Sequence, residues 1–152
     1  MNIARAAEIV LRAVLLVSAF GWGISVFAVA MPPEVAFAHL ERLSGRDVEP
    51  TPALSYWLKL AGVGFAFLGL QFAFCAVRPD RLMGLTKALL VFNLVCGAVL
   101  VWAALSVGLE PGTFIYDVTF CATTGGFGLI ALRLREPRVS ESSRIPARAA
   151  EV

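Results

Sequence analysis

The sequence predicts an all-α integral membrane protein, a four-helix up-down-up-down bundle with a short amphipathic segment in its first outer loop. Two observations support this fold class. Of the 152 residues, 59% are hydrophobic and only 16% are charged, and the mean hydropathy is +0.79. A soluble domain has roughly 45–50% apolar and about 25% charged residues. In addition, four apolar runs recur along the chain, and each approaches the roughly 20 residues that a helix needs to cross a bilayer.

The first apolar run, Ala13 to Met31, has no formal charge and predicts a span at about residues 9–31. Its Ala28-Val29-Ala30 sequence also matches the small-x-small pattern of a signal-peptidase site. An uncleaved span is favoured because the apolar stretch is longer than an ordinary signal core and because Glu8 is out of place there. Cleavage after Ala30 is the alternative, and it would leave three spans.

The connection from Pro32 to Pro52 contains a predicted short helix. Pro32-Pro33-Glu34 is typical of a helix start, and Gly45 is typical of a helix end. Four apolar residues between them can share one face, namely Val35, Ala36, Leu40 and Leu43. The pattern favours an amphipathic helix on the membrane surface, with an irregular solvated loop as the alternative.

Three further spans are predicted at about residues 54–77, 82–106 and 112–134. The last one crosses the membrane only if Asp117 lies at or inside the boundary. Short Pro- and Gly-containing connections at 78–81 and 108–112 predict tight turns, which make successive helices antiparallel neighbours. Residues 1–134 therefore form one transmembrane domain. Residues 135–152, rich in Arg, Ser and Pro, predict a disordered cytoplasmic tail.

Basic residues mark one side of the predicted bundle: Arg5, Arg12, Arg78, Arg81, Lys87 and the arginines from Arg133 onward. The positive-inside rule then predicts that both termini are cytoplasmic, and Asp80 is a candidate partner for Arg12 or Lys87. Four aromatic residues fall near the opposite surface as an interfacial belt, namely Tyr56, Trp57, Trp102 and Tyr116. Arginine far outnumbers lysine, which indicates a GC-rich bacterial genome and hence a bacterial inner membrane.

Two ionisable residues fall within spans at matched depth. Lys59 is five residues past Leu54, and Asp117 is five residues past Gly112, which is about 7.5 Å of helix rise in both cases. Opposite charges at one depth predict an intramembrane polar pair. The alternative is that Lys59 extends to the head groups while Asp117 meets water at the surface.

Small and polar residues recur at helical spacing on three predicted spans. They are Lys59, Gly62, Ala66 and Gly69, then Asn93 and Gly97, then Asp117, Cys121, Thr124 and Gly128. Such stripes favour close helix packing. A polar cavity formed by Asn93, Cys121 and Thr124 in the outer half is the alternative, because an asparagine near mid-membrane needs a hydrogen-bond partner.

The sequence contains none of the familiar catalytic motifs, such as GxSxG, HExxH or a P-loop. Cys75, Cys96 and Cys121 are isolated within apolar runs and are typical of small buried hydrophobes. His39, the one histidine, has no converging ligands in the sequence. We therefore expect no enzyme activity, no metal and no cofactor, and the net charge of +2 gives no reason to expect a nucleic-acid partner.

Three segments carry a resemblance to known proteins: PPEVAFAHL after the first span, YWLKLAGVGFAFLG at the start of the second, and CAVRPDRL between the second and third. With the four-span layout, they resemble small bacterial four-helix inner-membrane proteins of the DoxX-like kind and related families of unknown function. The resemblance implies the same membrane fold. DoxX-like proteins have been linked to thiol and redox assemblies, whereas this sequence has no paired-cysteine motif.

Two functions are compatible with these features. The first is an accessory membrane subunit, surrounded by lipid and assembled into a homo-oligomer or a larger membrane complex through its glycine stripes. The alternative is a small transporter or a proton or solute permeation subunit that uses Lys59, Asp117 and Asn93 around a polar cavity. A closed, dry core favours the first, and a water-accessible cavity that reaches Asn93 favours the second.

Overall fold

The structure, a computed structural model, describes residues 3–135, apart from the side chains of Ala28 and Leu43. These residues form α1 (Ile3–Gly23), α2 (Val26–Ala30), α3 (Pro33–Ser44), α4 (Pro52–Val77), α5 (Met83–Ser106) and α6 (Pro111–Arg135). The all-α prediction is confirmed for this range. By length and composition, α4, α5 and α6 are able to cross a membrane. The predicted tail beyond Arg135 lies outside the described residues.

Proline and glycine fix several of these helix ends. Pro33, Pro52 and Pro111 begin α3, α4 and α6, where the fixed φ of proline suits a helix and its missing N–H leaves no bond unmade. The Thr51 side chain caps α4 by accepting a backbone N–H at 3.1 Å. Gly45, with φ of 65°, ends α3 in the left-handed conformation that glycine adopts without steric penalty.

The first predicted span, 9–31, is not one continuous helix. α1 ends at Gly23, and the chain turns at Ile24 and Ser25 before α2 begins. The turn coincides with a close approach of α1 to α4, because a Cβ placed on Gly69 would lie 2.5 Å from the backbone nitrogen of Gly23. Hydropathy cannot reveal this break because it falls within an uncharged stretch.

A short helix in the connection 32–52 is confirmed by α3. Its buried side differs from the predicted one: Phe37 is only 6% exposed, whereas Val35 is 44% exposed. The physical reason is that burying a phenylalanine ring removes more apolar surface from solvent than burying a valine side chain. The position of α3 at a membrane surface stays a prediction.

The long helices pack in an antiparallel order. α1 packs on both α4 and α6, α6 packs on α5, and α4 touches α5 more sparsely. At close range, Gly69 of α4 faces Ala19 and Gly23 of α1, while Gly97 of α5 faces Cys121 of α6. The start of α1, the connection between α4 and α5, and the end of α6 therefore lie together, and we name this the inner end.

A set of ion pairs ties these three segments together at the inner end. Arg135 donates to the Asp80 carboxylate and lies 3.7 Å from the Glu8 carboxylate. Glu8 also pairs with Arg12 at 2.8 Å, one helical turn away. Because Glu8, Asp80 and Arg135 belong to three separate segments, these contacts link the start of α1, the α4–α5 connection and the end of α6.

The apolar core lies in the half of the molecule next to the inner end. Its buried members are Leu11, Leu15, Phe72, Cys75, Ala76, Leu89, Leu90, Ala131 and Leu132. Burial of these side chains follows from their helical spacing, since residues three and four apart share a face. A hydrogen-bonded chain of side chains and a cavity lie beyond this core, towards the opposite, outer end.

Candidate functional site

A chain of three hydrogen-bonded side chains joins α1, α5 and α6 and is named the buried polar chain: Asn93 and Thr124 are buried, and Trp22 is half-buried. The indole Nε1–H of Trp22 donates to Oδ1 of Asn93 at 3.1 Å. Nδ2 of Asn93 donates to Oγ1 of Thr124 at 2.9 Å. The Thr124 hydroxyl in turn donates to the Phe120 carbonyl at 2.7 Å. Asn93 is fully buried and cannot bond to water. Its amide therefore needs the two hydrogen bonds that it makes to Trp22 and Thr124.

The chemistry of the partners fixes the direction of this chain. An indole N–H can only donate, so the oxygen of the Asn93 amide must face Trp22 and its NH₂ must face Thr124. The threonine hydroxyl accepts that bond and donates a hydrogen bond of its own to the backbone carbonyl of Phe120. Hydrogen bonds linked in this way strengthen one another in a low-dielectric interior, and they hold the indole in one orientation.

Aromatic rings from three helices surround the indole of Trp22. Its ring centroid lies 5.1 Å from that of Phe65 on α4, 6.4 Å from Phe92 on α5 and 6.1 Å from Phe120 on α6. The pairs are tilted or edge-on, which aromatic quadrupoles prefer. Trp22 therefore bridges the sparsely packed space between α4 and α5.

A cavity of about 320 Å³ lies on the outer side of Trp22. It is lined by Gly21, Trp22, Ser25, Phe65, Cys96, Val99, Leu100, Asp117, Phe120 and Cys121, so α1, α4, α5 and α6 all contribute. Most of the lining is apolar or aromatic. Among the described residues that line the cavity, Asp117 alone carries a charge, and we name this space the outer cavity.

The three residues of the predicted polar cavity have different positions. Cys121 lines the outer cavity. Asn93 and Thr124 are hydrogen-bonded to each other in the buried polar chain and do not line this space. Trp22 separates them from the cavity, so the polar groups that the sequence assigned to one site form two adjoining layers.

Lys59 and Asp117 are not brought together. Both residues are exposed, and no ion pair joins them in the described part of the chain. The physical reason is the helix order: α1 packs between α4, which carries Lys59, and α6, which carries Asp117. Matched depth along a helix does not place two residues on facing surfaces, and the pair predicted from depth alone is corrected here.

The stripes of small residues serve contacts within the chain. A Cβ on Gly69 would meet the backbone of α1, one on Gly128 would lie 3.2 Å from the Leu90 Cγ, and one on Gly97 would lie 3.4 Å from the Cys121 Cβ. These glycines therefore allow α1 to approach α4 and α5 to approach α6. They are not available as surfaces for another subunit.

The cysteines and the histidine differ in their surroundings. Cys75 and Cys121 are buried and Cys96 is half-buried, and all three are free thiols. His39 lines an open groove on α3 with Glu34 and Arg42. Within residues 3–135, no group of three or more His, Cys, Asp or Glu side chains is placed to hold a metal ion.

The sequence did not identify Trp22 or its aromatic partners as part of a site. Trp22 lies near the middle of the predicted span 9–31, where the apolar pattern does not distinguish a ring that faces other helices from one that faces lipid. Tyr56, Trp57, Trp102 and Tyr116, the predicted interfacial belt, are at least 62% exposed, while Trp22 is half-buried. The available signal is its position between Gly21 and Gly23, because small neighbours leave room for a large ring to face another helix.

Comparisons with protein-family models, with curated proteins and with solved structures find no match for this chain. The DoxX-like resemblance therefore stays a prediction. Functional inference rests on the outer cavity, on the buried polar chain beneath it and on the distribution of charge along the helices.

Proposed function

We propose that this chain is a small multi-pass protein of a bacterial inner membrane, and that it binds a small organic cation in the outer cavity. Because this cavity does not reach Asn93, it supports a binding site rather than a permeation path. The observation that carries the proposal is the composition of that cavity, in which one carboxylate, Asp117, faces aromatic and apolar side chains.

The topology is proposed as four antiparallel crossings. α4, α5 and α6 are apolar and long enough to cross, and α1 with α2 runs beside α4 and α6 as the fourth. The exposed side chains along α1, such as Ile9, Leu16 and Phe20, are those that lipid solvates well. Basic residues at the inner end support cytoplasmic termini.

The ligand class follows from charge and ring chemistry. A carboxylate at the edge of an apolar space is more stable when a cation lies beside it, since attraction between charges grows as water is excluded. The faces of aromatic rings such as Trp22, Phe65 and Phe120 also attract cations, most strongly quaternary ammonium groups. The cavity volume of about 320 Å³ falls in the range of roughly 300–1,000 Å³ that small-molecule sites occupy.

Gly69, Gly97 and Gly128 of the predicted stripes meet other helices of the same chain, so they do not support an oligomer interface at those positions. Assembly with further copies or with other subunits remains a separate prediction. Lys59 has no part in the proposed site, since it neither lines the outer cavity nor pairs with Asp117.

The test is binding of benzyltrimethylammonium to the full chain in lipid nanodiscs, followed by Trp22 fluorescence in a Trp57→Phe/Trp102→Phe background. We expect a saturable change in emission that benzenesulfonate does not produce. Asp117→Asn should weaken binding about tenfold, because one charge–charge interaction at close range is lost. Glu110→Gln is the matched control, since it removes a carboxylate near the start of the same helix outside the cavity.

Thermal melts of both variants verify that the fold is kept. Equal binding by the Asp117→Asn and Glu110→Gln proteins would contradict the assignment of Asp117. The absence of any saturable signal in the parent protein would contradict cation binding as a whole.

A further inference from the structure

A second groove lies at the other end of the molecule, between α5 and α6. It has a volume of about 420 Å³ and is lined by Lys87, Val91, Gly126, Leu129, Ile130, Leu132 and Arg133. Lys87 and Val91 are four residues apart on α5, and Gly126, Ile130 and Arg133 are spaced by four and three on α6, so each set shares one face. Because α5 and α6 are antiparallel, Lys87 and Arg133 lie together at the inner end.

The floor of this groove is open at Gly126. A Cβ built on Gly126 would meet no atom within 4 Å, whereas one built on Gly125 would clash with α5. Val91 and Ile130 on the walls are 43% and 56% exposed. The result is an apolar channel along the outside of the helices, of the kind that an acyl chain can fill.

The two cations at the mouth of the groove have no carboxylate partner within residues 3–135. Glu8 and Asp80, the acidic residues at the inner end of that range, are engaged by Arg12 and Arg135. Lys87 and Arg133 are both exposed and are therefore free to bind another anion. A guanidinium and an ammonium at the same end of one groove suit a phosphate, which accepts hydrogen bonds from both.

We propose that this groove, lined by Lys87 and Arg133 at its inner end and by Gly126 along its floor, is a binding site for one anionic phospholipid of the inner leaflet. The phosphate lies between the two cations, and an acyl chain lies over Gly126. A groove with basic residues on the cytoplasmic side and apolar walls matches both parts of such a lipid. The site is independent of the outer cavity.

The experiment is native mass spectrometry of the full chain, titrated in detergent with phosphatidylglycerol or phosphatidylcholine. We expect the parent protein to retain one phosphatidylglycerol in preference to phosphatidylcholine. Lys87→Gln/Arg133→Gln should weaken phosphatidylglycerol binding by about tenfold or more. Arg78→Gln/Arg81→Gln is the matched control, because it removes the same charge from the same end outside the groove.

A second pair of variants tests the floor of the groove. Gly126→Leu should displace the acyl chain and lower retention of both lipids, while Gly64→Leu, at a glycine of α4 with open space around it, should not. Inorganic phosphate in millimolar excess should not compete with phosphatidylglycerol for the groove, because it lacks an acyl chain. Equal losses in the two charge variants, or full retention by the Gly126→Leu protein, would overturn the proposal.

Discussion

The indole of Trp22 lies where the outer cavity meets the buried pair of Asn93 and Thr124. One edge donates a hydrogen bond to Asn93, and the ring itself lines the cavity. A substitution in the polar chain should therefore act on the shape of the cavity through the orientation of this ring. The same arrangement keeps Asn93 away from any ligand in the cavity.

Thr124→Val tests the buried polar chain by removing one hydroxyl group. The variant keeps the shape of the side chain but removes the acceptor of Asn93 Nδ2, so we expect a loss of about 1 kcal/mol in the free energy of unfolding. Thr123→Val is the control, because Thr123 is exposed and its hydroxyl bonds only to its own helix. Thermal unfolding in detergent measures both, and equal stability of the two variants would contradict the role given to Thr124.

Part of this site was predictable residue by residue. In the predicted stripe of α6, Cys121, Thr124 and Gly128 are buried whereas Asp117 is exposed, and the need of Asn93 for a partner followed from its depth. The contribution of Trp22 and the separation of Lys59 from Asp117 were not predictable. Both depend on which helices are neighbours, and that order is decided by close approaches between backbones.

Two glycines of helix α4 differ in how closely another helix approaches them. At Gly69 a Cβ would lie 2.5–2.8 Å from backbone atoms of Gly23 and Ala19, whereas at Gly64 it would meet nothing within 4 Å. Backbone atoms cannot move aside as a flexible side chain can. The contact between α1 and α4 therefore depends on the absence of a side chain at Gly69.

Gly69→Ala should lower the free energy of unfolding by about 1–3 kcal/mol, because it forces α1 and α4 apart. Gly64→Ala adds the same methyl group to the same helix and should leave stability unchanged or slightly raised, since alanine favours helix. Denaturant or thermal unfolding of the two proteins gives the comparison. A destabilisation of similar size in both would mean that α1 and α4 do not meet at Gly69.

The bounds of the elements were predictable where charge or proline marks them. α4, α5 and α6 differ from the predicted 54–77, 82–106 and 112–134 by one or two residues at their ends, because Pro52, Pro111 and the charged connection 78–81 interrupt the apolar runs. The turn after Gly23 was not predictable, since no charge or proline marks it.

At the scale of the whole molecule, charge is divided between the two ends. Unpaired cations collect at the inner end, while the outer end holds the connection with α3, the start of α6 and Asp117. The sequence predicted this division because the positive-inside rule needs only the order of spans. It did not predict Arg135 as the partner of Asp80, because that contact joins residues 55 positions apart.

Cysteine labelling tests the proposed topology. In a variant with the three native cysteines replaced by alanine, Asp47→Cys should react with a membrane-impermeant maleimide in intact cells. Arg81→Cys should react only after the cells are permeabilised, because it lies at the inner end. The reverse pattern would contradict cytoplasmic termini, and labelling of both positions in intact cells would contradict a membrane barrier between them.

The half-buried thiol of Cys96 lines the outer cavity and reports on whether cations enter it. In a Cys75→Ala/Cys121→Ala protein in bilayers, we compare its rates of modification by methanethiosulfonates carrying a trimethylammonium or a sulfonate group, each normalised to a free small thiol. We expect the cationic reagent to react about tenfold faster. Asp117→Asn should abolish this preference, and Glu110→Gln should keep it. A thiol that reacts with neither reagent, or a preference that survives Asp117→Asn, would contradict a water-accessible, cation-selective cavity.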